Sequence, residues 1–250
     1  PAYTAWWQMD SKLSAPKNSN LKTVMDFSFF DKINTAKNEQ TETWFKGLDR
    51  VYNNFVYDFL YPNPASVLAF IENHDTDRFL GEGDNLPMLK QASTLLLTTR
   101  RIPQLYYGTE IMMNGVKSKS DGYVRKDFPG GWTGDATNAL TPAGRTKIQN
   151  ECYDFYKTIL NWRKGNDVIA KGSMVQFMVQ NGVYAYARQY EGKTIFVMLN
   201  GTDAETTVPL KFYKEILKNS KQGKDILSGK AITFGEELKM GPRESLVIEL

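Results

Sequence analysis

The segment most able to do chemistry is Glu72-Asn73-His74-Asp75-Thr76-Asp77-Arg78, which directly follows the apolar run Ser66–Ile71. Within seven residues it places three carboxylic acids, an amide, a guanidinium and the only histidine of the chain. Carboxylates and a neutral imidazole can donate and accept hydrogen bonds or transfer protons, as a binding or acid–base site requires. The alternative is a polar helix cap, because Asn, Asp and Thr are all favourable N-cap residues. The residue types favour a site and leave the cap open.

The single histidine, His74, and the single cysteine, Cys152, exclude several kinds of chemistry. An intrachain disulfide cannot form, and a zinc site built from Cys and His would have at most two ligands. A metal held by this chain would need oxygen ligands. A nucleophile activated by histidine would have to use His74. Cys152 lies on a predicted helix near Phe155 and Ile159, and we expect it to be an inert core thiol.

Strands and helices alternate around the polar segment. The run Ser66–Ile71 is short and continuously apolar, which is typical of a parallel strand covered on both faces. The other elements predicted before Gly165 are a strand over Leu21–Phe30, a helix over Asn38–Leu60, a helix over Leu86–Arg101, a strand over Ile102–Tyr107, a Gly-rich loop over Asn114–Asn138 and a helix over Thr141–Lys164. Strands and helices in series indicate a parallel sheet, whose sites form at the carboxyl ends of the strands.

After Gly165 the pattern changes to short strands joined by tight turns. The predicted strands are Met174–Gln180, Val183–Tyr190, Thr194–Leu199, Val208–Leu210 and Leu246–Leu250. Asn181-Gly182 and Glu191-Gly192-Lys193 are both hairpin signals. A length of 250 residues suits one complete barrel or two smaller domains, and the change of pattern favours two, with a boundary near Asn166.

Charge and hydropathy exclude two classes of partner. The formal net charge is +3, smaller and less clustered than is usual for a nucleic-acid binder. The densest basic stretch, Lys211 to Lys230, is expected to be a solvated face. No apolar run approaches the roughly 18 residues of a membrane span, and no signal-peptide pattern is present. We therefore expect neither nucleic acid nor a membrane as partner.

Three stretches of sequence resemble the α-amylase family, glycoside hydrolase family 13. FIENHDTDRF, residues 70–79, resembles the family's fourth conserved motif at the end of barrel strand seven. RIPQLYYGTEIMMNG, residues 101–115, is similar to its strand eight, and residues 121–132 resemble the strand-eight loop of neopullulanase and cyclomaltodextrinase types. The resemblance covers essentially the whole chain. It implies an α/β fold: strands six to eight of a (β/α)₈ TIM barrel over residues 1–165, then an antiparallel β-sandwich domain over residues 166–250.

The resemblance implies retaining hydrolysis of α-glucans, in which a nucleophilic carboxylate and an acid/base carboxylate lie about 5 Å apart. Asp75 matches the third carboxylate of the family, which stabilises the transition state by binding sugar hydroxyls. His74 matches the histidine that hydrogen-bonds the same sugar. Asn73 matches the residue that buttresses the motif, and we place it with His74 among the candidate substrate-binding residues. Arg78 is expected to orient the loop, with contact to substrate as the weaker alternative.

Two residues of the strand-eight loop, Arg125 and Trp132, are further candidates for substrate binding, Trp132 by stacking on a glucose ring. The implied substrate is an α-glucan such as starch, a maltooligosaccharide, a cyclodextrin or pullulan. We expect no metal and no cofactor within these residues. Calcium, which many relatives use, would be held in a longer protein by ligands that lie mostly upstream.

Nothing in the sequence matches the family motifs that carry the nucleophilic aspartate and the acid glutamate. We therefore expect the C-terminal part of a longer enzyme, beginning at Pro1 just beyond the acid glutamate and inactive alone. The resemblance implies a periplasmic or extracellular location. Three strands cannot close a barrel, so we expect self-association, or packing of residues 1–20 over the strand-six edge. The alternative is a non-catalytic carbohydrate-binding or scaffold relative with the same fold.

Overall fold

The first part of the chain is a small parallel sheet surrounded by helices. The structure is a computed structural model that describes residues 1–14, 17–42 and 44–250. Its elements up to residue 171 are α1 Ala2–Trp6, β1 Val24–Met25, α2 Phe27–Ala36, α3 Asp49–Val56, β2 Val67–Ala69, α4 Leu86–Thr98, β3 Ile102–Pro103, α5 Asp121–Val124, α6 Lys147–Arg163 and α7 Asp167–Lys171. Short 3₁₀ turns lie at Tyr57–Leu60, Pro64–Ser66, Thr109–Ile111 and Pro142–Gly144. The strands are parallel in the order β1-β2-β3, which confirms the predicted parallel sheet.

The predicted strand over Leu21–Phe30 is wrong beyond Met25, where β1 ends. The Asp26 carboxylate accepts a hydrogen bond from the Phe29 backbone N–H at 2.9 Å and caps α2. Phe29 and Ile33 then lie on the buried face of a helix. The acidic residue inside an apolar run was a helix start signal that the run concealed.

Three other predicted elements are too long. The helix predicted over Asn38–Leu60 begins only at Asp49, because residues 37–42 and 44–48 form turns and loops. The helix predicted from Thr141 begins at Lys147, where Thr146 and Gln149 form a capping box. The strand predicted over Ile102–Tyr107 ends at Pro103. The predicted Gly-rich loop contains the short helix α5.

The second part of the chain is antiparallel. Its elements are β4 Ser173–Gln180, β5 Val183–Tyr190, β6 Lys193–Asn200, β7 Thr206–Pro209, a 3₁₀ turn at Leu210–Tyr213, α8 Lys214–Leu217, β8 Gln222–Asp225, β9 Ala231–Thr233, β10 Glu237–Met240 and β11 Ser245–Glu249. Six strands pair in the order β4-β5-β6-β11-β8-β9, and β10 pairs with β7. Both predicted hairpins are confirmed, whereas β8, β9 and β10 had no counterpart in the predictions.

Both faces of the central strands β5, β6 and β11 of the six-stranded sheet are buried, and alternate residues enter different cores. Tyr184 and Tyr186 of β5 pack with the helices α2, α3, α4 and α6. Val183, Ala185 and Ala187 of the same strand pack with residues of β7, β10 and α8. The period of two along a strand sends successive side chains to opposite faces. The two-stranded sheet therefore covers one face of the larger sheet, and the helical part covers the other. None of the helices in the described ranges is long and apolar enough to cross a membrane.

The loop before α3 is fastened to the antiparallel sheet through Thr41. The Thr41 backbone N–H donates to the Gly201 carbonyl at 3.0 Å, and its hydroxyl accepts from the Leu48 N–H at 2.9 Å. A Cβ at Gly47 or Gly201 would lie within 2.2 Å of the Thr41 hydroxyl oxygen. Glycine is required at these positions because Thr41 occupies the space of their missing side chains.

Candidate functional site

The polar segment begins where β2 has ended. Phe70 and Ile71 continue the buried chain, and Glu72 and Asn73 are also buried, whereas the side chains of His74 and Asp75 are each 59% exposed. The helix-cap interpretation is wrong, because the next α-helix is α4 and its N-cap is Asn85. The segment instead folds as a turn at the carboxyl end of a central parallel strand.

Asn73 holds this turn in place. Its side-chain oxygen accepts from the Asp75 backbone N–H at 2.8 Å, and its own backbone N–H donates to the Thr76 hydroxyl at 3.0 Å. Side-chain-to-backbone bonds of this kind replace a regular turn and fix the direction of the residues between them. The side chain of Asn73 is buried, so its placement among the substrate-binding residues is wrong: it positions Asp75 and lies beneath the exposed surface.

His74, Asp75 and Arg125 form the exposed cluster. His74 Nε2 lies 3.2 Å from Asp75 Oδ2, and an Arg125 terminal nitrogen lies 3.1 Å from Asp75 Oδ1. Arg125 Nε also donates to the His74 carbonyl at 2.8 Å, so one guanidinium holds both residues. Asp121 forms ion pairs with both cations, 3.3 Å from Arg125 Nη2 and 3.2 Å from Lys117 Nζ. The arrangement offers a carboxylate, an imidazole and two cations to solvent, which suits binding of a polyhydroxylated ligand.

Arg78 does not belong to this exposed cluster, and the weaker alternative given above, that it binds substrate, is wrong. Its side chain is fully buried. It donates from Nε to the Val124 carbonyl at 3.1 Å and from Nη1 to the Tyr107 carbonyl at 2.6 Å, and it stacks 3.9 Å above the centroid of the Tyr106 ring. These contacts bind the end of strand β2 to the segment that carries Arg125. Arg78 therefore orients the loop and does not reach a ligand.

Glu72 has a role that sequence reasoning missed. Its buried carboxylate lies 3.2 Å from Arg78 Nη1 and also accepts from the Phe79 backbone N–H and the Thr109 hydroxyl. Burial raises the pKa of Glu72, while the bonds from Thr109, Phe79 and Arg78 oppose that rise. An acid placed directly after an apolar strand was the available signal, since such a side chain starts in the interior and needs a buried partner.

Trp132 stands apart from the cluster. The Asp135 carboxylate accepts from the backbone N–H groups of Trp132 at 3.0 Å and Gly130 at 2.7 Å, which fixes the loop, and the Trp132 side chain is mostly exposed. Within the described residues no hydrogen bond or aromatic contact joins Trp132 to His74, Asp75 or Arg125. Its proposed stacking role stays a prediction.

Neither a metal site nor a reactive thiol is found among the described residues. The described ranges contain no group of three or more His, Cys, Asp or Glu side chains that could hold a metal ion. Cys152 is buried, and burial raises the pKa of its thiol to about 12. Its sulfur lies against the Thr109 carbonyl at 3.6 Å. A thiol held neutral in the core has little nucleophilic character.

Known proteins similar in sequence to this chain carry related names. A family profile described as the cyclo-malto-dextrinase C-terminal domain matches residues 174–249. An alpha-amylase from Niallia circulans is 29% identical over 226 residues, 87% of this chain and 38% of that protein. A cyclomaltodextrin glucanotransferase from Thermoanaerobacterium thermosulfurigenes is 30% identical over 233 residues, 90% of this chain and 29% of that protein.

Solved structures share the fold. An Anoxybacillus alpha-amylase matches 100% of this chain and 49% of its own, with a TM-score of 0.76 and 20% identity. An alpha-amylase from Geobacillus thermoleovorans, complexed with acarbose, matches 92% of this chain and 48% of its own, with a TM-score of 0.72 and 21% identity.

Along most of its length the chain is similar to members of the α-amylase family, glycoside hydrolase family 13. It spans 38% and 29% of the two curated relatives and about half of the two structures, and it matches the C-terminal part of family members. Its antiparallel sheet corresponds to a C-terminal β domain of the cyclomaltodextrinase type.

Proposed function

We propose that this chain supplies the substrate-stabilising side of the active site, and the C-terminal domain, of a retaining enzyme that acts on α-glucans. The observation that carries the proposal is the exposed His74–Asp75 pair, held by Arg125 at the carboxyl end of a parallel strand. Sites of α/β folds are built at this end of the strands. The similarity of the chain to α-amylase and to cyclomaltodextrin glucanotransferases supports the choice of ligand.

In this proposal Asp75 and His74 hydrogen-bond hydroxyls of the sugar at the point of cleavage. Bonds from a carboxylate strengthen as positive charge develops on the ring, so Asp75 would bind the transition state better than the ground state. A neutral imidazole provides one donor and one acceptor for neighbouring hydroxyls. Arg125 fixes the Asp75 carboxylate and offers its remaining donors to the ligand, while Trp132 contributes a ring for stacking.

The remaining parts of the proposal concern the architecture of the longer protein. β1, β2 and β3 would be strands six to eight of a (β/α)₈ barrel formed with residues beyond this chain, in a domain that covers residues 1–165 here. Residues 166–250 would form the C-terminal β domain. Exposed apolar side chains on and beside the two edge strands support this arrangement: Met25, Phe27, Ile102 and Leu105. Further barrel strands would cover them.

The nucleophile and the acid/base residue would then come from strands outside these 250 residues, so we propose that the chain alone has no hydrolytic activity. A periplasmic or extracellular location, and calcium binding upstream, are proposed from the family resemblance. The competing function is a non-catalytic glucan-binding relative. The coding sequence upstream of Pro1 distinguishes them: the enzyme requires an aspartate and a glutamate in the strand-four and strand-five motifs.

The single histidine makes the proposed site directly observable. His74 gives the only imidazole Hε1 signal in a proton spectrum of the chain, and we expect maltoheptaose to shift it. Asp75→Asn should weaken this binding about tenfold, while Asp203→Asn, a change of the same chemistry in the antiparallel sheet domain, should leave it unchanged. No shift up to millimolar maltoheptaose would refute the binding role. Asp75-dependent hydrolysis of maltotriose by the chain alone would refute the proposed inactivity.

A further inference from the structure

Two neighbouring aromatic side chains, Trp44 and Phe45, project into solvent from the loop between α2 and α3. Trp44 is 71% exposed and Phe45 is 62% exposed. Burial of a large aromatic side chain stabilises a protein, so such exposure forgoes a sizeable contribution to stability. The loop shares no residue with the His74–Asp75–Arg125 cluster.

The backbone beneath these two residues is fixed. Phe45 has a φ of 62°, a left-handed conformation that bulky residues rarely adopt. Its N–H donates to Asp49 Oδ2 at 2.6 Å, and Asn53 donates to the same oxygen at 2.8 Å. The Gly47 N–H donates to Glu39 at 2.8 Å, and Thr41 is locked into the antiparallel sheet as described above. Strain that the surroundings maintain is a feature of functional sites, and here it holds the backbone from which the aromatic side chains project.

Trp44 forms one wall of a groove of about 380 Å³ whose opposite wall is the β4–β5 hairpin. The half-exposed Met178 contributes an apolar surface, and the end of β4 contributes the amide of Gln180. Asn181 in the turn contributes its amide oxygen, because its amide nitrogen donates to the Thr207 carbonyl at 2.9 Å. Glu42 adds a carboxylate on the Trp44 side. The groove thus combines an aromatic ring with hydrogen-bonding groups at its margin, and it falls in the size range of small-ligand sites.

We propose that this groove is a second α-glucan site, in which a glucose ring stacks on Trp44 and its hydroxyls bond to Glu42, Gln180 and Asn181. A glucose unit has an apolar C–H face and a polar edge, which matches a ring bordered by amides and a carboxylate. The volume of the groove, about 380 Å³, lies within the range of small-ligand pockets, about 300–1,000 Å³. The choice of glucan as ligand rests on the proposed function, whereas the site itself rests on the fixed loop and the groove.

The experiment uses the whole 250-residue chain and maltoheptaose as the probe. The five tryptophans give five indole N–H signals in an ¹⁵N–¹H correlation spectrum, and the signal lost in Trp44→Phe identifies Trp44. We expect maltoheptaose to shift the Trp44 signal with an affinity that Asp75→Asn does not change. Trp44→Ala should reduce retention of the chain in gels containing glycogen about tenfold. Phe59→Ala, which removes a similarly exposed aromatic ring (76%), serves as the matched control and should have no effect.

The possible outcomes separate the two proposals. Shifts of Trp44 without shifts of His74 support the groove and refute the binding role of the motif. Shifts of His74 and Trp132 with Trp44 unmoved overturn the groove and leave the proposed function intact. A Trp44 signal that responds to protein concentration and not to maltoheptaose would assign the surface to contact between copies of the chain, and would also overturn the proposal. Circular dichroism of Trp44→Ala establishes that any loss of binding occurs in a folded protein.

Discussion

Replacement of Arg78 by methionine should destabilise the chain strongly, because it leaves the Glu72 carboxylate buried without its cation. Removing one partner of a buried ion pair costs about 3–5 kcal/mol. The carbonyls of Tyr107 and Val124 also lose their donor. Since natural domains have unfolding free energies of about 5–15 kcal/mol, Arg78→Met should lose a large fraction of the total. Urea unfolding followed by circular dichroism measures the difference.

Two controls show whether the buried pair is the cause. Arg50→Met removes the partner of Glu39 from a partly exposed pair and should cost only about 0.2–1 kcal/mol. The double variant Glu72→Gln/Arg78→Met removes the stranded charge and should recover about 0.5–3 kcal/mol relative to Arg78→Met alone. The deficit of Arg78→Met should also be larger at pH 8 than at pH 5. Burial raises the pKa of Glu72, so at the lower pH more of this carboxyl is neutral and the fold is penalised less. Equal costs for Arg78→Met and Arg50→Met at both pH values would refute the reasoning.

Three further predictions concern other parts of the chain. Cys152, whose thiol pKa is raised to about 12 by burial, should not react with a disulfide reagent at pH 8 until urea unfolds the chain; rapid labelling of the native protein would contradict this. Arg50 holds the pKa of Glu39 below its ordinary value, and Arg243 does the same for Asp203. When the pH is above its ordinary pKa, each carboxylate therefore stabilises the folded chain. This stabilisation is lost as the pH falls below about 4.5 and the carboxylates become protonated. The urea midpoint should drop there, and less so in Glu39→Gln. The exposed apolar edge strands should make the chain self-associate, and Phe27→Glu should reduce the apparent mass in light scattering toward that of the 28.5 kDa monomer; a monodisperse wild-type monomer would contradict the proposal.

Local signals in the sequence predicted the hairpins and the central parallel strand. Asn181 and Gly182 have φ values of 49° and 78°, which these residue types adopt readily. The turn could therefore be predicted from these two residues alone. β8, β9 and β10 were missed because they are three or four residues long and carry few apolar side chains. Short strands are specified by their neighbours more than by their own composition.

The polar segment was predicted from the sequence, but which of its residues are exposed for binding and which are buried was not. His74 and Asp75 could be proposed as ligand-binding residues from their types and the family resemblance. The burial of Arg78 depends on the Val124 carbonyl, 46 residues away, and that of Glu72 on Thr109, 37 residues away. No pattern within the motif reveals which of its charged residues is buried. The groups that hydrogen-bond to the buried residues lie after β3 and in the loop that follows it.

The shared core described above determines how the molecule can come apart. Tyr184, Val197 and Val247 of the antiparallel sheet pack in the same cluster as Leu89 and Ile159 of the helices. A cut after Gly172 would uncover apolar surface on both products at once. The helical part and the sheet should therefore melt together in a single cooperative transition, and neither should be obtainable as a soluble piece without the other. Loop sequences of such a protein can vary independently, whereas the helical part and the antiparallel sheet must be kept together because they share one core.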